Sequence, residues 1–359
     1  MVRYVRRADT NIAFQTFGDG PIDLLFVPNW INDIEAAWDE PSYAGFLRSL
    51  GAFSRVSWFD KRGTGLSDPI PISDRLDLDS WVQDVEAVRK AVGAGKPVLF
   101  GAASGGPICI SYAAQYPDHV AALVLYDSYA TLAAAEDVPW GFSPEAARGI
   151  ERRFEAEWAE GPYLDVVAPT LSGDARFRSW WAHYRRHASS PGTARALRRL
   201  SNEIDVRSQL PLVQAPTLVV HRSGDRYILV EHGRYLARRI AGAILLEVRG
   251  DDHLFFVGDA SSIVAEVAAF LARVLDRTEI RRLSASSRRK SARWGWESIT
   301  AAERRVVDLV LEGLSNNEIA VRLHLSKNTV DAHLKSVYRK LGVRSRSGLI
   351  SLAREQHST

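Results

Sequence analysis

Three short stretches hold side chains that could do covalent chemistry. Gly101-Ala102-Ala103-Ser104-Gly105-Gly106 follows an apolar run, Asp225 closes HRSGD and His253 closes GDDH. A hydroxyl on a tight turn attacks a carbonyl when a histidine takes its proton and an acid orients that histidine. The small-residue turn has serine at 104 and alanine at 103. A methyl group can neither attack a carbonyl nor be activated by a base, so the position that serves as nucleophile decides whether the chain catalyses anything.

A second chemistry lies near the C-terminus. Residues 327–341 carry Val330, Leu334, Val337 and Leu341 at spacings of one helical stripe. Asn328, Asp331, Ala332, Lys335 and Arg339 fall on the other side. Lys327, Lys335, Arg339 and Arg344 suit neutralisation of phosphates, which gives salt-dependent affinity without sequence preference. Asn328 and Thr329 are placed for a phosphate or a base edge, and Ala332 for a thymine methyl; Lys335 is alternatively a guanine reader. Asp331 repels phosphate but accepts from cytosine, so it either alters the preferred site or faces away. The partner this face fits is double-stranded DNA.

The elements that must position these groups differ along the 359 residues, a length that suggests two or three domains. Apolar runs at Ile22–Val27, Val56–Phe59, Pro97–Phe100, Val120–Tyr126, Thr217–His221 and Ile244–Val248 alternate with helical patterns at Asp79–Val92, Pro107–Tyr116, Val230–Ile240 and Ser261–Leu275. Such runs do not alternate in polarity, which predicts an α/β sheet covered on both faces over residues 1–275. Between about 132 and 206 the strand runs stop and aromatics accumulate, among them Trp140, Phe154, Trp158, Trp180, Trp181 and Tyr184. This segment reads as a helical cap, whose rings either fill its own core or wall an apolar pocket. Residues 276–297 read as a basic, serine-rich linker, and 298–359 as an all-helical unit. Thr300 with Glu303, and Ser315 with Glu318, have the spacing of reciprocal helix caps, and the first helix is expected to bury Val306, Val307, Val310 and Leu311.

Charge divides at the same place. The net charge of +3 resolves into 17 Lys/Arg against 8 Asp/Glu in residues 277–359, and 29 against 35 in residues 1–276. An acidic body with a basic tail points to a nucleic-acid module attached to something else. The single cysteine, Cys109, excludes a disulfide framework and a cysteine-ligated zinc cluster. No stretch approaches 18 uninterrupted apolar residues, and the N-terminal residues lack a signal-peptide run; a cytoplasmic protein without a membrane span is expected. His183 and His187 lack an apparent third ligand, and no phosphate loop or dinucleotide fingerprint occurs, so neither metal nor cofactor is expected.

ITAAERRVVDLVLEGLSNNEIAVRLHLSKNTVDAHLKSVYRKLGVRSR closely resembles the four-helix DNA-binding domain of LuxR-type transcription regulators. The resemblance implies that the third helix enters the major groove and that the fourth helps the domain to dimerise on a near-palindromic site. LLFVPNW, FDKRGTGLSD, FGAASGGP, HRSGD and GDDH, in that order, resemble the α/β-hydrolase fold. Counted from Gly105-Gly106, Tyr116-Pro117 and Val120, the family's spacing places its nucleophile at Ala103, its acid at Asp225 and its histidine at His253; Asp127 is an alternative acid position. A register shifted to Ser104 is sterically conceivable, and Ala103 is either natural or an engineered replacement of serine.

These readings combine into a regulator whose pseudo-hydrolase domain binds a small, largely apolar carbonyl, ester or lactone without efficient turnover. Binding would change DNA affinity or the geometry of a homodimer. Asn29, Trp30, Ala103, Ser104, Trp180, Trp181 and His253 are the expected ligand contacts, with backbone N–H groups near Trp30 and Ser104 meeting the ligand oxygen. The alternatives are an active serine esterase or lactonase fused to a DNA-binding domain, and a ligand-independent dimerisation scaffold.

Overall fold

The structure is a computed structural model that describes residues 1–70, 77–158, 163–275, 299, 301–323, 325–341, 343 and 345–357. Thr300, Gly342, Arg344 and the linker 276–297 lie outside the described residues, as does the side chain of Arg339. The chain forms two compact units, Met1–Arg281 and Arg282–Thr359.

In the first unit, strands β1 (Arg3–Arg7), β2 (Thr10–Phe17), β3 (Ile22–Val27), β4 (Ser54–Phe59), β5 (Val98–Ala102), β6 (Ala122–Tyr126), β7 (Thr217–Arg222) and β8 (Ile244–Val248) make one sheet. Its order is β1-β2-β4-β3-β5-β6-β7-β8. The six apolar runs of the sequence become the six strands that pair in parallel, and β5 and β6 are buried along their whole length. β1 and β2 pair antiparallel and have no counterpart among those runs, because β1 is a half-exposed edge carrying three arginines.

Helices α1 (Pro41–Gly51), α2 (Leu78–Ala91) and α3 (Gly105–Gln115) follow β3, β4 and β5. The insertion after β6 holds α4 (Pro144–Ala156), α5 (Leu164–Val167), α6 (Ala175–Ala188) and α7 (Pro191–Glu203). Ser143, Asp174 and Ser190 cap α4, α6 and α7 by accepting from backbone N–H groups two or three residues into the helix, and Pro144 and Pro191 stand at first positions. Helices α8 (Val230–Arg239) and α9 (Ala260–Val274) complete the layers; α1 packs against α9, and α2 against α3.

The second unit contains α10 (Ala301–Leu311), α11 (Asn316–Leu323), α12 (Lys327–Leu341) and α13 (Arg346–His357). Val306, Val307 and Val310 meet Ile319, Val330, Leu334, Val337 and Leu349 in one core. Leu311 does not join them: it is 37 % exposed, because it lies past the buried face at the end of α10. The Ser315–Glu318 cap forms in both directions, at 2.7 Å from the Ser315 amide and 3.4 Å from that of Glu318. Gly313, at φ 91°, adopts the left-handed conformation that stops α10.

Candidate functional site

The turn between β5 and α3 is sharp because two glycines let backbones meet. A Cβ on Gly105 would lie 2.2 Å from the Val27 carbonyl oxygen, and one on Gly106 would lie 1.6 Å from Ser128 Oγ. At the apex Ala103 has φ 48°, a left-handed conformation that a residue with a Cβ adopts only at a cost. Its amide donates to the Tyr126 carbonyl at 2.9 Å, and Ser128 Oγ donates to its carbonyl at 3.0 Å. Ser104 has φ −68° and begins the helix; its hydroxyl donates to Asn29 Oδ1 at 3.1 Å. The strained apex, where a strand-to-helix turn lifts a side chain clear of the sheet, is therefore residue 103.

His253 Nδ1 lies 2.7 Å from Asp225 Oδ2, with both side chains buried. Asp225 is fixed in turn by the amides of Tyr227 and Ile228, which donate to its Oδ1 at 2.8 and 3.1 Å. This is an acid that orients a histidine. Asp127 stands beside the pair, and one ligand atom from each of the three lies within 4.8 Å of the others. Burial, reinforced by the negative charge of Asp225, pushes the Asp127 carboxyl well above the usual carboxylate range. The group with an ordered imidazole to serve is thus Asp225.

Ala103 and His253 face a concave, mostly apolar cavity, the form that small-molecule sites take. Its floor comes from the ends of β5 and β6, and its walls from Trp30, Tyr43, Phe255 and the insertion's Phe154, Tyr163, Trp181, Tyr184 and Arg185. Asn32 Oδ1 accepts from the Tyr43 and Tyr184 hydroxyls at 3.2 and 3.0 Å, while its amide donates to Asp60 at 2.8 Å. Lys61, fully buried, donates to the Asn29 carbonyl at 2.7 Å and lies 4.6 Å from the Trp81 ring centre. Burial lowers its ammonium to about 7.

In the second unit α11 and α12 pack together across a short turn. Lys327, Asn328, Ala332 and Lys335 are exposed on α12, and Thr329 and Asp331 are half-buried. Ser326 caps the helix start, its Oγ accepting from the Thr329 amide at 3.1 Å. Asp331 accepts from Asn316 of α11 at 2.7 Å, and Asn316 in turn accepts from Arg346 at 3.0 Å. The carboxylate is thereby tied to its own unit.

Residues 46–260, more than half of the chain, match the alpha/beta hydrolase fold family. The chain belongs to that family. Residues 297–353 match the luxR family of bacterial regulatory proteins, so this α/β-hydrolase-fold protein carries a LuxR-type helix-turn-helix domain. Among curated relatives, an HTH-type transcriptional regulator of Mycobacterium tuberculosis is 52% identical over 71 residues, which are 20% of this chain and 8% of that protein. The chain thus spans a small fraction of the length of the regulators it matches there. A pimeloyl-[acyl-carrier protein] methyl ester esterase of Nitrosomonas europaea is 26% identical over 219 residues, 60% of this chain and 81% of the esterase. Among solved structures, a bromoperoxidase from Bacillus anthracis superimposes with a TM-score of 0.65 at 19% identity, over 76% of this chain and 99% of that one. An enol-lactonase from Burkholderia xenovorans gives a TM-score of 0.59 at 19% identity, over 75% of this chain and 100% of that one. These likenesses carry the fold.

In the hydrolase-fold unit the triad-equivalent positions hold Ala103, Asp225 and His253, with no serine among them. Of the residues expected to touch a ligand, Asn29, Trp30, Ala103, Trp181 and His253 line the cavity. Ser104 and Trp180 are absent from its lining: Ser104 is turned to Asn29, and Trp180 donates to the Ala36 carbonyl at 3.1 Å. The Trp30 amide, expected to meet a ligand oxygen, donates to Asn29 Oδ1 at 2.7 Å. A carboxamide oxygen therefore occupies that donor. Sequence reasoning missed Asn32, Tyr43, Tyr227, Phe255, Phe256 and Arg185 in the wall. Arg185 had a faint signal, lying four residues after Trp181 and therefore on the same helical face.

No helix among the described residues is long and apolar enough to cross a membrane.

Proposed function

We propose that this protein is a DNA-binding transcriptional regulator whose hydrolase-fold domain senses a small molecule without efficiently turning it over. The observation that carries this reading is the methyl of Ala103 at the strained apex, facing a cavity beside an ordered His253–Asp225 pair. The ordered histidine–acid pair of a carbonyl site is retained without the atom that would form the covalent bond. His253 offers its Nε2 edge to a carbonyl, ester or lactone oxygen, and Trp30 and Trp181 enclose the carbon skeleton. Lys327, Asn328, Ala332 and Lys335 meet DNA, with Arg339 and Arg344 adding phosphate contacts. A homodimer on a two-fold site is the assembly that such a domain needs to read a long enough sequence. Occupancy shifts the regulator only through unequal affinity of the ligand for two states of the protein.

The open cavity speaks against a purely structural scaffold, and the helical conformation of Ser104 speaks against an esterase that uses it. Native mass spectrometry of the purified full chain tests the sensing reading. A bound small molecule that is released intact, and whose removal changes oligomeric state or promoter output, is expected. An empty cavity together with unchanged output under added ligands would count against it.

A further inference from the structure

We propose that the cavity takes an organic carboxylate, gripped side-on by Arg185. The inference rests on the reading of the cavity as a ligand site and specifies what the ligand must carry. Arg185 of α6 lines the cavity and is 2 % exposed. Its guanidinium carbon lies 4.7 to 5.4 Å from the ring centres of Phe154, Trp158, Trp30 and Trp181. These rings offer their π faces to the cation, but a π face does not satisfy N–H groups lying in the guanidinium plane. Nε and Nη2 of Arg185 have no hydrogen-bond partner. Those two atoms form one edge of the guanidinium, and their N–H bonds run parallel with the spacing of the two oxygens of a carboxylate.

Arg198 of α7 repeats the arrangement. It is 3 % exposed, its Nε and Nη2 are also without partners, and it lies 5.5 Å from Phe154 and 6.0 Å from Trp30. Two guanidinium groups thus approach the same two rings, and among the described residues neither has a hydrogen-bond partner for its Nε and Nη2. Burial and the charge of Arg198 lower Arg185 to about 9. Buried cations are ordinarily paired. What this pair lacks is an anion, and Arg185 lines the cavity from which one would come. Ala103 and His253 line the same cavity, so the ligand would present a carboxylate to Arg185 and a further polar group to His253, with an apolar body between.

The test uses the full chain and four acids, acetate, butyrate, benzoate and 4-phenylbutyrate, each titrated calorimetrically against its own methyl ester and against inorganic phosphate. At least one acid is expected to bind about tenfold or more tightly than its ester. Arg185→Met, which keeps the apolar bulk, should erase that preference by weakening the acid about tenfold relative to its ester; Arg185→Lys, which keeps charge but lacks the fork, should retain only part of it. Equal binding of acid and ester in all four pairs, no binding by any acid, or an undiminished preference in Arg185→Met overturns the proposal. Phosphate binding more tightly than every acid overturns the carboxylate assignment. DNA affinity measured in parallel separates this claim from the regulatory one. An acid that binds without altering DNA affinity leaves the anion site standing and removes the regulator; an ester that binds better and alters DNA affinity does the reverse.

Discussion

At residue 103 the backbone holds a left-handed conformation that costs a non-glycine residue about 1–2 kcal/mol, although the side chain there is a methyl. The turn was legible in the sequence because only small residues fit between β5 and α3, and Asp225 and His253 were legible because polar residues close two later strand-to-loop junctions. Restoring a hydroxyl should restore chemistry. Ala103→Ser is expected to release p-nitrophenol from p-nitrophenyl acetate roughly 10³-fold faster than the wild-type chain, and the gain should vanish in the Ala103→Ser/His253→Ala double variant. Equal rates in wild type and Ala103→Ser would show that the ordered pair cannot serve a nucleophile. Lys61 supplies a pH signature. Its folded-state ammonium is lowered to about 7 while the unfolded chain's stays near 10.4, so the unfolded state binds the extra proton between those values and stability rises with pH there. Relative to Lys61→Met, the wild type should gain about 1.4 kcal/mol per pH unit from roughly pH 7 to 10, read by urea unfolding. A flat difference would mean that the hydrogen bond to Asn29 and the Trp81 face keep Lys61 charged.

At the scale of elements, the parallel strands were readable because apolar residues dominate them, most of all in β5, β6 and β7, which are buried along their whole length, whereas the pair β1 and β2 carries mixed polarity. The cap was readable as helical and aromatic, but the phase of α6 was not. Trp180 and Trp181 are adjacent and turn about 100° apart, so one packs beneath the cap and the other walls the cavity. Arg185 was hidden because an arginine in a helix ordinarily reads as its solvated side. Helix α12 divides its labour more legibly. Leu334, 3 % exposed in the core of the second unit, should cost about 2–5 kcal/mol when changed to Ala, measured by denaturation of the full chain followed through that unit's amide signals. Lys335→Ala, on the exposed side, should leave stability unchanged and weaken specific DNA binding. Arg344→Ala should instead weaken binding to all sequences and lower the slope of log affinity against log salt by about 0.9. Equal losses and unchanged slopes in both variants would contradict that division.

For the whole molecule, the split between an acidic N-terminal part and a basic C-terminal part corresponds to two compact units with different family membership. That much followed from charge and motif order, since both are written along the chain. The chemistry of the ligand did not, because it depends on side chains from the loop after β3, from the ends of β5 and β6 and from the cap that only folding brings to one cavity. The proposed regulation requires that cavity occupancy change how the LuxR-type domain binds DNA. It is tested most directly by measuring the affinity of the full chain for its operator with the cavity's ligand present and after that ligand has been removed. A change of about fivefold or more that disappears when Ala103→Trp fills the cavity is expected. Identical operator affinity in the two states of the wild-type chain would contradict it.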